Sequence, residues 1–276
     1  MMKIIEPQAE LWIPDNPRAH VARCARVCYG KEEGNNERLY QALLNNKHHS
    51  MFRHETHYYI APINDFCVED LVTFYQKDIG FDSTRHKGKY YIVINGHWGI
   101  NHSEDCKYLA KYEVPVEEFD KNEISFNMKR YTFCLTTQIS TTRELNRVSP
   151  NNIAERSTRY VEECGTICRP HWMYITENES IYSDYYKDIS LTKYVDSCEL
   201  AFNNYRVLIN QGMSREDARG ILPLDTASKV VYTYSVKEWQ NIINLRYYGT
   251  TGRPHPNAKL IIGMVKEGLE KLGHKF

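Results

Sequence analysis

What this chain lacks narrows its class before any motif is read. No apolar run among its 276 residues approaches the roughly 18 that suggest a membrane span, and mean hydropathy is −0.59, so a soluble protein with no membrane partner is expected. Charge of one sign is not in excess. Lys+Arg number 35 and Asp+Glu 35, with no long basic stretch, which removes the electrostatic footprint of a general nucleic-acid binder. Any anion therefore has to meet a local site. The start MMKIIEPQAELWIP has no basic segment followed by an apolar one, so export is not expected and the cytoplasm is the default location. Neither a G-x-G-x-x-G nor a G-x-x-x-x-G-K-[ST] pattern occurs, which leaves a dinucleotide fold and a P-loop without support.

Eight cysteines are present, but they are thinly spread over a long chain and read as reduced thiols rather than a disulfide framework. Cys164, Cys168 and His171 in ECGTICRPH form the one cluster resembling a metal site. It lacks a fourth ligand and a second close pair, so no metal is expected.

The pattern of elements is mixed. Asp15-Asn16-Pro17 is a helix start, and RAHVARCARVCY puts Val21, Cys24, Ala25 and Cys28 on one face before Gly30. ERLYQALLNN reads as a second helix, KHHSMFRHETH as a polar turn and HYYIAPI as a strand. Residues 65–125 alternate helical and strand-like pieces. Beyond them ISFNMKRYTFCLTT reads as strand, ISTTRELNRV as helix and SPNNIAERSTRY as loop. Ser190 can cap LTKYVDSCELAFNNYRVLINQG, Ser214 with Asp217 resembles a capping box, SKVVYTYSV is strand, and VKEWQNIINLRYY and NAKLIIGMVKEGLEKL are helices.

Arginines carry the chemistry. RELNRVSPNNIAERSTRY holds Arg143, Arg147, Arg156 and Arg159, with Ser157 and Thr158 between the last two. Arg143 and Arg147 share a helical face, where like charges repel unless an anion sits between them. Guanidinium forks match phosphate oxygens, and hydroxyls add neutral donors, so the S-T-R-Y turn suits a phosphate. The alternative is surface pairing with Glu144, Glu155, Glu162 and Glu163, which contributes little. Arg215 and Arg219 form a second pair. Arg246 ends an apolar helical run, where it needs a partner or acts as a helix C-terminal cap. His48, His49 and His54 surround Ser50 in one turn; ligand hydrogen bonding and plain solvent exposure both suit them.

Taken together, VARCARVCY, KHHSMFRH, RYTFCL with RELNRVSPNNIAERSTRY, REDARGILPLD and VKEWQNIINLRYYG resemble, in collinear order, the flavin-dependent thymidylate synthases. Arg147, Ser157, Arg159 and Tyr160 fall in register with that family's R-H-R-x7-S motif and its S-x-R-Y end, and Arg219 and Arg246, 27 positions apart, match its nucleotide-contacting arginines. The resemblance implies an α+β fold with a largely antiparallel sheet flanked by helices, and one domain over 1–276 with an insertion at about 65–125. It implies a homotetramer with sites built from several subunits. The implied substrate is dUMP, held by Glu144, Glu155, Ser157, Thr158, Arg159, Arg219 and Arg246, with Arg219 reaching it from a neighbouring subunit. The implied catalytic residues are Arg246 and Ser157. FAD would face His48, Ser50, Arg147, Glu155 and Asn241, with methylenetetrahydrofolate and NADPH as co-substrates. The chain departs from the family pattern in two places: Arg147-Val148-Ser149 stands where Arg-His-Arg is usual, and Glu144 where glutamine is usual. Two alternatives keep the fold: a nucleotide-binding homologue without flavin or catalysis, and a methylase of another pyrimidine nucleotide such as UMP.

Overall fold

The computed structural model describes residues 2–150, 152–175, 181–182 and 191–276. Two short strands, β1 (Lys3–Ile5) and β2 (Gln8–Trp12), precede α1 (Pro17–Cys28). Asn16 caps α1 by accepting the Ala19 amide at 3.0 Å, and Pro17 takes the first helical position, where no amide partner is needed. Val21, Cys24 and Ala25 are buried on the expected face, with Cys28 half-buried beside them. α2 (Asn36–Asn45) and a 3-10 turn (His49–His54) then lead into β3 (Thr56–Pro62).

Residues 65–125 contribute α3 (Phe66–Tyr75), β4 (Phe81–His86), β5 (Lys89–Asn95), α4 (Gly96–Asn101), α5 (Ser103–Leu109), α6 (Val116–Phe119) and α7 (Glu123–Phe126). β5 lies between β3 and β4 and is antiparallel to both, pairing Thr56 with Asn95 and Phe81 with Ile94. Tyr59, Phe81, Tyr90, Ile92, Ile94, Trp98 and Leu109 form an aromatic-rich core of their own beneath this sheet. The segment ISFNM, expected as the beginning of a strand, is instead largely a helical turn. Asn122 accepts the Ser125 amide at 3.1 Å and so nucleates α7.

β6 (Arg130–Gln138) follows, then α8 (Ile139–Asn146), β7 (Ile153–Glu155), β8 (Thr166–Cys168), β9 (Tyr174–Ile175) and β10 (Ile181–Tyr182). β7 lies inside a stretch expected as loop. It forms because β11 offers a free edge there, pairing Val230 with Glu155. The C-terminal part holds α9 (Leu191–Asn210), α10 (Arg215–Ala218), β11 (Ala227–Ser235), α11 (Val236–Ile243), a π-helical turn (Asn244–Tyr248) and α12 (Pro256–Lys271). Ser214 caps α10 as expected; the expected cap of α9, Ser190, lies outside the described residues.

The larger sheet runs β2-β6-β11-β7, antiparallel throughout, and β1 pairs parallel with β8. The fold is α+β, with antiparallel sheets flanked by helices. Period-two alternation splits the side chains of β6 and β11 between two faces. Tyr131, Phe133, Leu135, Val230, Tyr232 and Tyr234 meet Trp239 of α11 and Ile261, Ile262, Val265 and Leu269 of α12, while Cys134 and Val231 meet Cys24 and Val27 of α1.

The α1 side also buries polar groups. His20 Nε2 lies 2.9 Å from Thr132 Oγ1, which is 2.7 Å from Thr233 Oγ1, itself 2.8 Å from His54 Nδ1. His54 Nε2 is buried without a partner. A buried lone pair costs less than a buried unpaired N–H, so the favoured hydrogen assignment has His54 Nδ1–H donating into the chain and His20 Nε2 accepting at its end. Burial, followed by nearby positive charge, lowers the His20 pKa to about 4 and that of His54 to about 3, so both rings are neutral at pH 7.

Candidate functional site

The S-T-R-Y turn is held by backbone before any ligand is considered. The Ser157 amide donates to the Cys28 carbonyl at the end of α1 (3.1 Å), the Arg156 amide donates to Lys229 of β11 (2.8 Å), and the Tyr160 ring stacks on Tyr29 at 5.6 Å. Ser157 Oγ accepts the Arg159 amide at 3.2 Å, which leaves its own proton free to point outward. Arg159 Nε pairs with Glu216 of α10 at 3.1 Å. Arg219 Nη1 donates to Thr158 Oγ1 at 3.3 Å, and Arg215 Nη1 to the Tyr160 carbonyl at 3.1 Å. The two basic segments singled out in the sequence thus meet within one protomer, where Arg219 adjoins the turn of its own chain.

α8 organises a second group. Glu155 at the end of β7 accepts from Thr142 Oγ1 (2.7 Å), Asn146 Nδ2 (3.2 Å) and Ser228 Oγ (3.3 Å). On the same helix the Glu144 carbonyl accepts Arg246 Nε at 2.9 Å, and the Glu144 carboxylate lies 3.7 Å from Arg147 Nη1. Arg246 has the partner its position demanded: a carbonyl in the last turn of α8. Its two terminal nitrogens remain as donors. The Glu144 carboxylate, unusual at this position, is partly compensated by Arg147.

A cavity of about 540 Å³ brings Arg147 and Asn241 together. Its floor includes Arg130, a cation that sequence reasoning missed. Arg130 donates to the carbonyls of Arg53 (3.0 Å), Glu55 (3.4 Å) and Thr233 (3.0 Å), tying β6 to the 3-10 turn and to β11. Burial lowers its pKa. The available signal was an arginine opening a strand of aromatic, aliphatic and threonine residues, a mismatch related to the one that singled out Arg246. Asn152 also lines the cavity; it is 2% exposed, its Nδ2 donates to the Thr233 carbonyl at 3.1 Å, and its Oδ1 has no partner. Val148 packs against the larger core and Ser149 hydrogen-bonds the Tyr234 hydroxyl, so both substituted motif positions are engaged by the fold. His48, just before the 3-10 turn, and Ser50 within it are exposed and are not among the residues lining this cavity in the single protomer.

Among the described residues no group of three or more His, Cys, Asp or Glu side chains could hold a metal ion, and no helix is long and apolar enough to cross a membrane. Burial pushes the Cys134 and Cys168 thiols up to about 12, which keeps them protonated at neutral pH.

An arginine-rich turn with neutral hydroxyl donors, in a chain that also carries a cavity of ligand size with cationic lining, is the donor set of a protein that binds anionic small molecules. The family model for thymidylate synthase complementing proteins, Thy1, matches residues 119–259, just over half of the chain. The chain belongs to this family, that of the flavin-dependent thymidylate synthases, as a divergent member with Arg147-Val148-Ser149 in place of Arg-His-Arg. A flavin-dependent thymidylate synthase from Thermosipho melanesiensis is 27% identical over 158 residues, a match spanning 54% of this chain and 66%, just under two thirds, of that relative. Among solved structures, a UMP/dUMP methylase PolB from Streptomyces cacaoi bound with 5-Br UMP superposes with a TM-score of 0.48 at 17% identity, covering 98% of this chain and 92% of that one. The same methylase bound with 5-Br dUMP gives 0.48 and 17%, with 98% and 93% covered.

Proposed function

We propose that this protein is a flavin-dependent thymidylate synthase, which transfers the methylene of methylenetetrahydrofolate to C5 of dUMP to give dTMP, and works as a homotetramer with shared sites. The supporting observation is the meeting of Arg219 with Thr158 and of Arg159 with Ser157 in one turn, in a chain whose family is established by the match over 119–259. Ser157, Thr158 and Arg159 hold the nucleotide phosphate, and Arg219 adds a second guanidinium. A phosphate displaces Glu216 from Arg159, exchanging an exposed carboxylate pair for a bidentate one.

Arg246 directs its free terminal nitrogens at the uracil carbonyls, while the Glu144 carbonyl fixes its Nε. That places positive charge where the ring becomes electron-rich as C5 attacks, and such preorganised donors lower the barrier without reorganising. Glu155, locked by Thr142, Asn146 and Ser228, lies between the nucleotide and flavin sides. For FAD, the fit rests on the cavity at Arg147 and Asn241 and on the unpartnered Asn152 Oδ1, an acceptor suited to a ligand N–H or O–H. His48 and Ser50 complete the flavin side from another subunit. When bound and reduced by NADPH, FAD supplies the hydride; the protein's own residues bind and orient the reactants.

A second reading, nucleotide binding without flavin, is favoured by one observation: Val148 and Ser149 are turned to packing and to Tyr234 rather than kept as free donors. The deciding measurement is an absorption spectrum of the purified protein with FAD, followed by a dTMP assay with dUMP, methylenetetrahydrofolate and NADPH. A flavin spectrum and dTMP formation are expected. Colourless protein that still binds dUMP in a calorimeter establishes the second reading, and preferential turnover of UMP in competition with dUMP reassigns the substrate.

A further inference from the structure

The cavity that contains Arg147 and Asn241 is closed on one side by the turn linking α3 to β4. Lys77, Asp78, Ile79 and Gly80 belong to this turn, and Asp82 follows it on β4. Arg147–Pro150, the stretch with Val148 and Ser149 where histidine and arginine are usual, also lines it.

The turn is firmly built. The Asp78 amide donates to Tyr75 (2.9 Å), the Phe81 amide to Asp78 (3.3 Å), and the Asn95 amide to the Gly80 carbonyl (2.8 Å), which fastens the turn to β5. Gly80 sits at φ +95°, and a Cβ there would come within 2.3 Å of Asn95 Nδ2, so glycine alone permits this approach. Asn95 is itself fixed as the cap of α4, accepting the Trp98 amide at 2.8 Å.

The charges facing the cavity are unequally committed. Glu238 is occupied by the cap of α11, accepting the Ser235 amide at 2.7 Å and its hydroxyl at 3.0 Å, and Asp78 lies 3.9 Å from His102. Asp82 is left facing Lys237. Lys77 has no carboxylate within ion-pair distance among the described residues.

We propose that the turn after α3 is a cofactor-recognition wall, with Lys77 supplying a cation to the phosphates of the cofactor in a cavity where Val148-Ser149 supply none. The inference rests on the flavin reading of this cavity and goes beyond it by assigning specificity to the segment 65–125. Asp82 works against the same ligand, so two substitutions on one wall have opposite signs.

The test is flavin fluorescence titration of the full-length protein, with FAD and with riboflavin, which shares the ring but has no phosphate. Lys77→Glu weakens FAD binding at least tenfold and leaves riboflavin binding within twofold; Asp82→Asn tightens FAD binding severalfold. A general folding defect cannot produce opposite shifts, and unchanged melting temperatures check this directly. If the unaltered protein binds FAD and Lys77→Glu does not change the affinity, the proposal is overturned while the flavin reading stands. Equal weakening of FAD and riboflavin also overturns it, since the phosphates are then not what the wall recognises. Failure of the unaltered protein to bind FAD removes both the reading and the proposal.

Discussion

The two larger sheets of this protein are built on different principles. The smaller one, β3-β5-β4, encloses an aromatic core and puts its charged groups at the surface, as in the Arg85 to Glu69 pair at 3.1 Å, whose partners are 55% and 44% exposed. The larger one, β2-β6-β11-β7, buries His20, His54, Thr132 and Thr233 and anchors Arg130 through three backbone carbonyls. Apolar packing alone is enough to hold a fold. A sheet whose buried hydroxyls, Thr132 and Thr233, link imidazoles on α1 and on the 3-10 turn instead has those groups fixed in direction, which is what a site needs and what makes this region sensitive to acid. Arg130 of the cavity opens β6 of this sheet, and Asn152, with its unpartnered amide oxygen, directly precedes β7.

The largest effects separate the two cores. Trp239→Ala in the larger core and Trp98→Ala in the smaller one each remove a buried indole and cost about 3–5 kcal/mol. Hydrogen exchange tells them apart. Trp98→Ala is expected to speed exchange in β4 and β5 while β6 and β11 stay protected; uniform loss of protection would show that the two sheets unfold as one unit.

Acid comes next, and it acts on the larger sheet. The folded pKa values of His20 and His54, about 4 and about 3, lie below the ordinary 6.5. Below pH 6.5 the unfolded chain takes up protons that the folded rings refuse, so stability falls with pH until those lower values are reached. A tenfold difference in proton affinity between the folded and unfolded chain is worth about 1.4 kcal/mol, so a loss of several kcal/mol between pH 7 and pH 4 is expected in urea titrations. A flat profile would mean that the two rings are not buried in neutral form.

The smallest effect falls on β3, an edge strand of the smaller sheet, and has the opposite sign. Burial alone would lower the His57 pKa, but hydrogen bonds to Glu113 and Glu55 outweigh it and raise the pKa to about 9. His57 Nδ1 lies 2.7 Å from Glu113 and Nε2 lies 3.3 Å from Glu55. Its contribution is complete below pH 6.5 and is lost as pH rises through about 9. His57→Gln is expected to cost about 1.5 kcal/mol at pH 7 and to flatten the stability profile between pH 6.5 and 9. An unchanged profile in the variant would remove the imidazolium from this clasp.

Local signals carried much of the fold. Asn16-Pro17 and Ser214 gave helix starts because caps act within three residues, and the β-branched and aromatic residues of SKVVYTYSV marked β11, a strand buried on both faces over most of its length. Two readings failed where a distant partner or a competing cap decided the outcome. β7 needs the edge of β11, and Asn122 turned ISF into a helix before the strand could begin. The same divide holds for the site. The arginines announced themselves as cations in apolar or mutually repelling surroundings, yet the pairing of Arg246 with Glu144, Arg159 with Glu216 and Arg219 with Thr158 spans 57 to 102 positions and is invisible to any local pattern. Lys77 and Asp82 were legible only as charges; what makes them a wall is the close approach of Gly80 to Asn95.

The π-helical turn at Asn244–Tyr248 means that the helix after Ile243 no longer keeps time with the 3.6-residue rhythm that placed Trp239 and Ile242 in the core. A register drawn from α11 therefore points Arg246 in the wrong direction, by close to the angle one extra residue subtends. A single-residue deletion in this stretch would leave composition and charge almost untouched while swinging that guanidinium away from Glu144, so here the spacing of the chain, more than its chemistry, is what inheritance has to preserve.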